Sequence, residues 1–227
     1  MKKICLILAV MLALLSTAAL AGTFSKSTTA PSTNLIEYLA ATTDKGLMIA
    51  RDGFWNRGSG QTFKHSEDYN MSAITFVGKI HGDDEPGPYN LPSGAVVDMR
   101  VLKDATGADD VLDTEIANDT FDVGGQSIAL GEYITFTFSS PIGPLDANTL
   151  HGVELWFTSE AVGHKFLLAR NDVIDPDQYP NGGTIFMGGY GDPDDFPSMN
   201  QTDNNNDAWF YVQGTEVSAV DDWMMFD

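Results

Sequence analysis

Three oxygen-bearing side chains at alternate positions, Asp203, Asn205 and Asp207, are the residues of this chain most readily matched to a chemistry. Calcium takes roughly six to eight oxygen ligands, and Asx residues two apart in a turn supply several of them at once. The spacing opens like an EF-hand loop, but Ala208 stands where that loop has glycine, and no distal glutamate follows. Asp and Asn also gather in loops because they make good turns. Calcium is therefore the expected cofactor of this segment, with a purely structural turn as the alternative. The triplet closes a stretch, residues 171–207, that holds eight Asp and no Lys or Arg. Long loops on compact β domains tend to carry function or to be disordered.

The aromatic residues offer a second chemistry. The C–H faces of sugar rings stack on aromatic faces, while nearby carboxylates and amides accept hydrogen bonds from hydroxyls. Strand alternation sets Trp156 opposite Val153, Leu155 and Phe157, and Tyr133 opposite Ile134 and Phe136. Trp209 and Tyr211 share one face, with Phe210 and Val212 on the other. The expectation is that Trp156, Trp209, Tyr211 and Tyr133 line one outer or concave surface, with Tyr190 reaching a ligand from the acidic stretch. The alternative is that these rings are core, or lie under loops. Trp55 is expected to pack beneath a loop.

Other chemistries find no pattern. His65, His81, His151 and His164 form no H-E-x-x-H or H-x-H pair, and no G-x-S-x-G elbow, P-loop or dinucleotide fingerprint is present. The single cysteine, Cys5, lies near the start, which removes thiol catalysis, disulfides and cysteine zinc sites from the rest of the chain. Carboxylate pairs of the glycosidase kind meet in space rather than in sequence, so none is selected and no catalytic residue is assigned.

The elements that must hold these residues are short strands. Ile74 and Phe76, then Val97, Met99 and Val101, then Ile134, Phe136 and Phe138, then Val153, Leu155 and Phe157 alternate with polar residues. Period-two patterning of this kind predicts half-buried antiparallel strands. Further strands are expected at 61–65, 111–115, 127–130, 165–169, 184–187 and 208–213. Gly and Pro mark a loop over 81–94, Gly124-Gly125 marks a hairpin turn, and residues 144–150 are expected to make a helical turn. The predicted fold class is all-β: an antiparallel β-sandwich with jelly-roll connectivity. It is expected over residues 35–215, between a flexible lead-in at 22–34 and a tail at 216–227 that docks on the domain.

Residues 1–21 read as a secretory leader. Lys2 and Lys3 precede an apolar run from Ile4 to Leu15, and Ala19-Leu20-Ala21 presents small residues where a leader peptidase reads. The run is too short for a membrane span. Its style points to a bacterium, and to a secreted, periplasmic or cell-surface destination. The full sequence has a net charge of −20, and loss of the leader removes two lysines and no acid. A chain so acidic is not expected to bind nucleic acid or an anionic membrane.

The segments Gly60–Phe63, Met71–Phe76, Tyr133–Phe138, Leu145–Thr149 and Asp207–Gly214 together resemble exported β-sandwich domains of environmental bacteria, including choice-of-anchor and PEP-CTERM-type surface proteins. The resemblance spans roughly residues 53–214 and implies a jelly-roll domain related in shape to carbohydrate-binding modules. The chain lacks the apolar, basic-ended anchor of those relatives, so release is expected rather than anchoring. The function expected is non-catalytic binding of a polysaccharide or cell-envelope glycan, with calcium stiffening the acidic stretch. The alternatives are a self-associating surface or matrix protein, and an extracellular polysaccharide-active enzyme.

Overall fold

Alternating side chains bury one face of each strand, and two such faces stack into a core. A computed structural model describes residues 21–39, 45–79, 87–104, 112, 114–171, 179, 182–187, 201–203 and 207–217. Its strands are β1 (Thr23–Ser27), β2 (Asn34–Tyr38), β3 (Lys45–Arg51), β4 (Asn56–Phe63), β5 (Tyr69–Val77), β6 (Tyr89–Asn90), β7 (Val96–Lys103) and β8 (Thr114–Asp122). They continue with β9 (Ser127–Ile128), β10 (Tyr133–Leu145), β11 (His151–Phe157), β12 (Lys165–Arg170), β13 (Thr184–Met187), β14 (Gln201–Asp203) and β15 (Phe210–Glu216). No helix occurs among the described residues. The fold is an all-β antiparallel sandwich.

One layer has five strands in the order β1-β10-β5-β15-β2. The other runs β12-β3-β4-β11-β7-β8, with β13 and β14 added beside β4. Between them lie Ile74, Phe76, Ile134, Phe136, Phe210 and Val212 from the first layer, and Val97, Met99, Val101, Val153, Leu155 and Phe157 from the second. Each such side chain contributes roughly 1.5–3 kcal/mol by leaving water. At one corner the layers are stitched together: Lys79 N donates to Leu167 O at 3.0 Å and Trp209 N to Ala169 O at 2.9 Å. At the opposite side β1 meets β8 through a bridge between Gly22 and Phe121.

Three local expectations are corrected. Residues 22–34 are not simply a lead-in: β1 and the start of β2 lie there, and β1 pairs with β10 from Thr23↔Thr137 to Ser27↔Tyr133. Its hydroxyl residues face outward while Phe24 packs on Phe136 at 5.4 Å, so a linker-like composition forms an edge strand. The strand expected at 111–115 is instead β8 at 114–122, paired with β7 along its length. Residues 144–150 make no helical turn; Pro144 and Leu145 end β10, and Ala147-Asn148 form a tight turn in which Asn148 has φ 57°.

Candidate functional site

The outer face of the five-stranded layer gathers three of the expected aromatic residues. Tyr133 on β10 and Tyr211 on β15 lie on either side of β5, their rings 5.8 Å apart. Trp209, one residue before β15, joins them, and the three pack on Val77 and Ala169. Tyr211 is only 1% exposed because its neighbours cover it, whereas Tyr133 and Trp209 are half-buried and present ring surface to solvent. Burial, with the hydroxyl of Tyr133 hydrogen-bonded beside it, pushes the Tyr211 phenol well above its ordinary range, so the ring is neutral.

Alongside this ridge runs a polar row set by strand register. Tyr211, Thr75 and Thr135 are cross-strand neighbours, with Glu37 opposite Tyr211 on β2. Thr75 Oγ1 and Thr135 Oγ1 share a hydrogen bond of 2.7 Å, and Thr75 Oγ1 also donates to Gln213 Oε1 at 3.1 Å. Gln213 Nε2 donates in turn to Asn34 Oδ1 at 3.2 Å. Thr75 is 0% exposed, so the groups of this row that reach the surface beside the half-buried Tyr133 and Trp209 are Thr135, Gln213 and Glu37.

Trp156 does not join them. It lies on β11, between β4 and β7, on the outside of the other layer. There it packs against Leu102, Leu112, Leu150 and Ile185, with the Arg100 guanidinium 5.9 Å from its ring centre. Arg100 Nε binds Glu154 Oε2, and Glu154 is fully buried. Burial raises the Glu154 carboxyl above its ordinary value, against the pull of Arg100. Strand alternation correctly set Trp156 outward, but which layer a strand joins is not written in its alternation.

Of the expected calcium ligands, Asp207 is the one whose side chain is described, and it is fully buried. Its Oδ1 accepts from Gln61 Nε2 at 3.2 Å, and its backbone N–H donates to Asn171 Oδ1 at 2.7 Å. Asn171 N donates to Asp207 O at 3.0 Å, and Asn171 Nδ2 to the Tyr38 hydroxyl at 3.2 Å. The two ends of the acidic stretch are therefore clasped together at the core. Asp207 serves that clasp through its Oδ1 and its backbone. The Asp203 backbone pairs with Thr184 in the β13–β14 hairpin, while Asn205 and Tyr190 lie outside the described residues.

Two groupings escaped sequence reasoning. His65 and His151, far apart in the chain, flank Tyr69 edge-on, with ring centroids 5.2 and 6.0 Å from it. His151 is 0% exposed with the Thr149 backbone as a weak partner of its ring, and the Tyr69 hydroxyl meets no hydrogen-bond partner among the described residues. Beside His151 is a pocket of about 140 Å³ lined by Lys103, Asp146, Ile142 and Pro144. Burial pulls the His151 imidazole down to about 4, so it is neutral near pH 7. The second grouping is an apolar tip. Phe54 is 70% exposed beside Trp55, and Val162 is 90% exposed on a neighbouring loop joined to this one by Ala161 N donating to Arg51 O at 3.0 Å. Trp55 is half-buried with Arg57 4.4 Å over its ring, so it is partly open rather than hidden under a loop.

Fold and surface together define an all-β sandwich with an aromatic and hydroxyl-rich outer face and a clasped acidic excursion. No helix among the described residues is long and apolar enough to cross a membrane, which is a statement about helices alone. Comparison with protein-family models gives no match, and comparison with curated proteins gives none either.

Proposed function

We propose that this chain is an exported, non-catalytic β-sandwich that binds a polysaccharide or cell-envelope glycan through the outer face of its five-stranded layer. The observation that carries this reading is the Tyr133–Tyr211–Trp209 ridge lying beside the Thr75–Thr135–Gln213 row. Sugar rings stack on Tyr133 and Trp209, and Thr135, Gln213 and Glu37 bond their hydroxyls. The leader-like first 21 residues and the resemblance to choice-of-anchor and PEP-CTERM-type surface proteins support release outside the cytoplasm. Calcium, held through Asp203 and Asn205, stiffens the clasped 171–207 stretch.

Retention on a panel of immobilised polysaccharides, with and without millimolar calcium, tests this. Tyr133→Ala and Trp209→Ala each weaken retention about two- to tenfold, on the basis of roughly 0.5–1.5 kcal/mol per aromatic stacking partner. Calcium raises the melting temperature of the free protein, as any ligand of the folded state must. Absence of retention on every polysaccharide in both conditions overturns the reading.

A second reading, self-association, is favoured by Phe54, Trp55 and Val162 gathered at one end. Exposed apolar clusters mark contact surfaces. On this reading light scattering gives a mass that rises with concentration and that Phe54→Ser returns to the monomer; a monomer at every concentration sinks it.

A further inference from the structure

We infer that hydrolysis of the Ala21–Gly22 bond creates a new α-ammonium group on Gly22 that docks on the Asp119 carboxylate and pins the first strand across the joint between the two layers. The inference rests on the proposed export and leader removal, and it assigns that cleavage a structural consequence. Hydrolysis consumes one water and leaves a carboxylate on Ala21 and an ammonium on Gly22.

The receiving site is built by three N–H groups around one carboxylate. Gly22 N already donates to Asp119 Oδ1 at 2.9 Å. Thr120 N donates to the same oxygen at 2.8 Å, and Ser139 N to Oδ2 at 2.6 Å. Asp119 lies on β8, Ser139 on β10 and Gly22 at the threshold of β1, so one side chain ties three strands drawn from both layers. Burial alone would raise the Asp119 carboxyl, but the N–H groups of Ser139, Thr120 and Gly22 outweigh it and hold the group below its ordinary value. It is a fixed negative charge, and it stands where a peptide N–H would be exchanged for a full positive charge.

Position 22 also suits no other residue. A Cβ there would clash with the ring edge of Phe121, whose backbone bridges Gly22. Ala21, on the other side of the bond, is exposed. The residue that a leader peptidase would leave first in the chain is therefore also the one whose amide already points at an ionised carboxylate. Directly behind it, Phe24 packs on Phe136. Capture of the amine holds that contact closed at the open end of β1, where a strand would otherwise fray.

The test uses the chain beginning at Gly22 in three forms: with a free amine, with an acetylated amine, and with Ala21 retained. Acetylation keeps an N–H donor and removes the charge. The free-amine form melts roughly 2–4 °C above the other two, and its α-amine reacts with an acylating reagent at least tenfold more slowly than in the denatured chain. Asp119→Asn removes the advantage of the free amine, and Gly22→Ala unseats the terminus and restores its reactivity. Equal melting of all three forms, or an α-amine as reactive folded as unfolded, overturns the inference. The mass of the protein exported by a bacterial host is read separately. A first residue other than Gly22 defeats the proposed cleavage, whereas the prepared chains still report whether the amine docks.

Discussion

Replacing Phe136 with alanine lowers the stability of this protein by about 3–5 kcal/mol, among the largest effects expected of a single substitution. Phe136 is fully buried on β10 and pairs in register with Ile74 on β5. Its ring meets Phe24 of β1 at 5.4 Å and Phe121 of β8 at 5.1 Å, both edge-on. Removing it forfeits its own transfer from water and leaves a cavity that three strands in two layers would have to close. It also ends two aromatic contacts worth roughly 0.5–1.5 kcal/mol each. The melting temperature falls by roughly 10 °C. Phe54→Ala, at a position 70% exposed, serves as the control and stays within about 0.5 kcal/mol of the parent. Urea unfolding followed by tryptophan fluorescence measures both. A loss below about 1 kcal/mol for Phe136→Ala would mean that the two layers do not meet at this ring.

Acid weakens this protein through His151. The imidazole titrates near 6.5 in an unfolded chain and is brought down to about 4 by burial in the fold. Asp146 nearby favours the proton and Lys103 opposes it, while Tyr69 and His65 complete the surroundings. The sign follows from which state binds the proton first. As pH falls below 6.5 the unfolded chain takes it up while the folded chain does not, so the stabilisation present above pH 6.5 is lost on the way down to about 4. The loss amounts to about 3 kcal/mol across that window. Glu154, whose carboxyl is raised, works in the opposite sense, because the folded state holds its proton more tightly. The informative measurement is therefore a difference. His151→Phe keeps a ring of similar size against Tyr69 and lies within about 1.5 kcal/mol of the parent at pH 7. Relative to this variant the parent loses about 3 kcal/mol between pH 6.5 and 4, and Glu154, present in both, cancels from the difference. Parallel pH profiles for the two proteins would remove His151 as the cause.

The strands that the sequence made legible are those in which large apolar residues alternate and the inner face is fully buried. Val97, Met99 and Val101, Ile134 and Phe136, and Val153, Leu155 and Phe157 all point inward as their spacing requires. The short run 184–187 was found with its ends in place as β13. β1, β2 and β3 were not visible, although β2 buries Ile36 and Tyr38 and β3 buries Leu47 and Ile49 in the same alternation, over runs too short to stand out. β1 has only Phe24 among Thr, Ser and Lys, and exists because β10 offers it an edge. β8 carries Asn118, Asp119 and Asp122, which look like turn residues until β7 supplies partners for them. Strand number led to a jelly roll, but number does not fix neighbours, and the order β1-β10-β5-β15-β2 follows from pairing alone. The same divide runs through the candidate surfaces. Tyr133, Tyr211 and Trp209 were grouped because alternation sends them outward, whereas Trp156 was grouped with them although its strand belongs to the other layer. His65 and Tyr69 are four residues apart, but His151 joins them only because β11 pairs with β4, a relation that no local window contains.

The position of β15 bears on how the polypeptide is made. It is the last strand described, yet it occupies the middle of its layer, hydrogen-bonded to β5 on one side and β2 on the other. Until residue 216 emerges from the ribosome, that layer has a slot in it, and the hydrophobic interior that Phe210 and Val212 complete stands open to water. Pairings so remote in the chain form late and slowly. On the proposed route of export, a translocation channel that admits only extended polypeptide would meet this protein before it has the means to close.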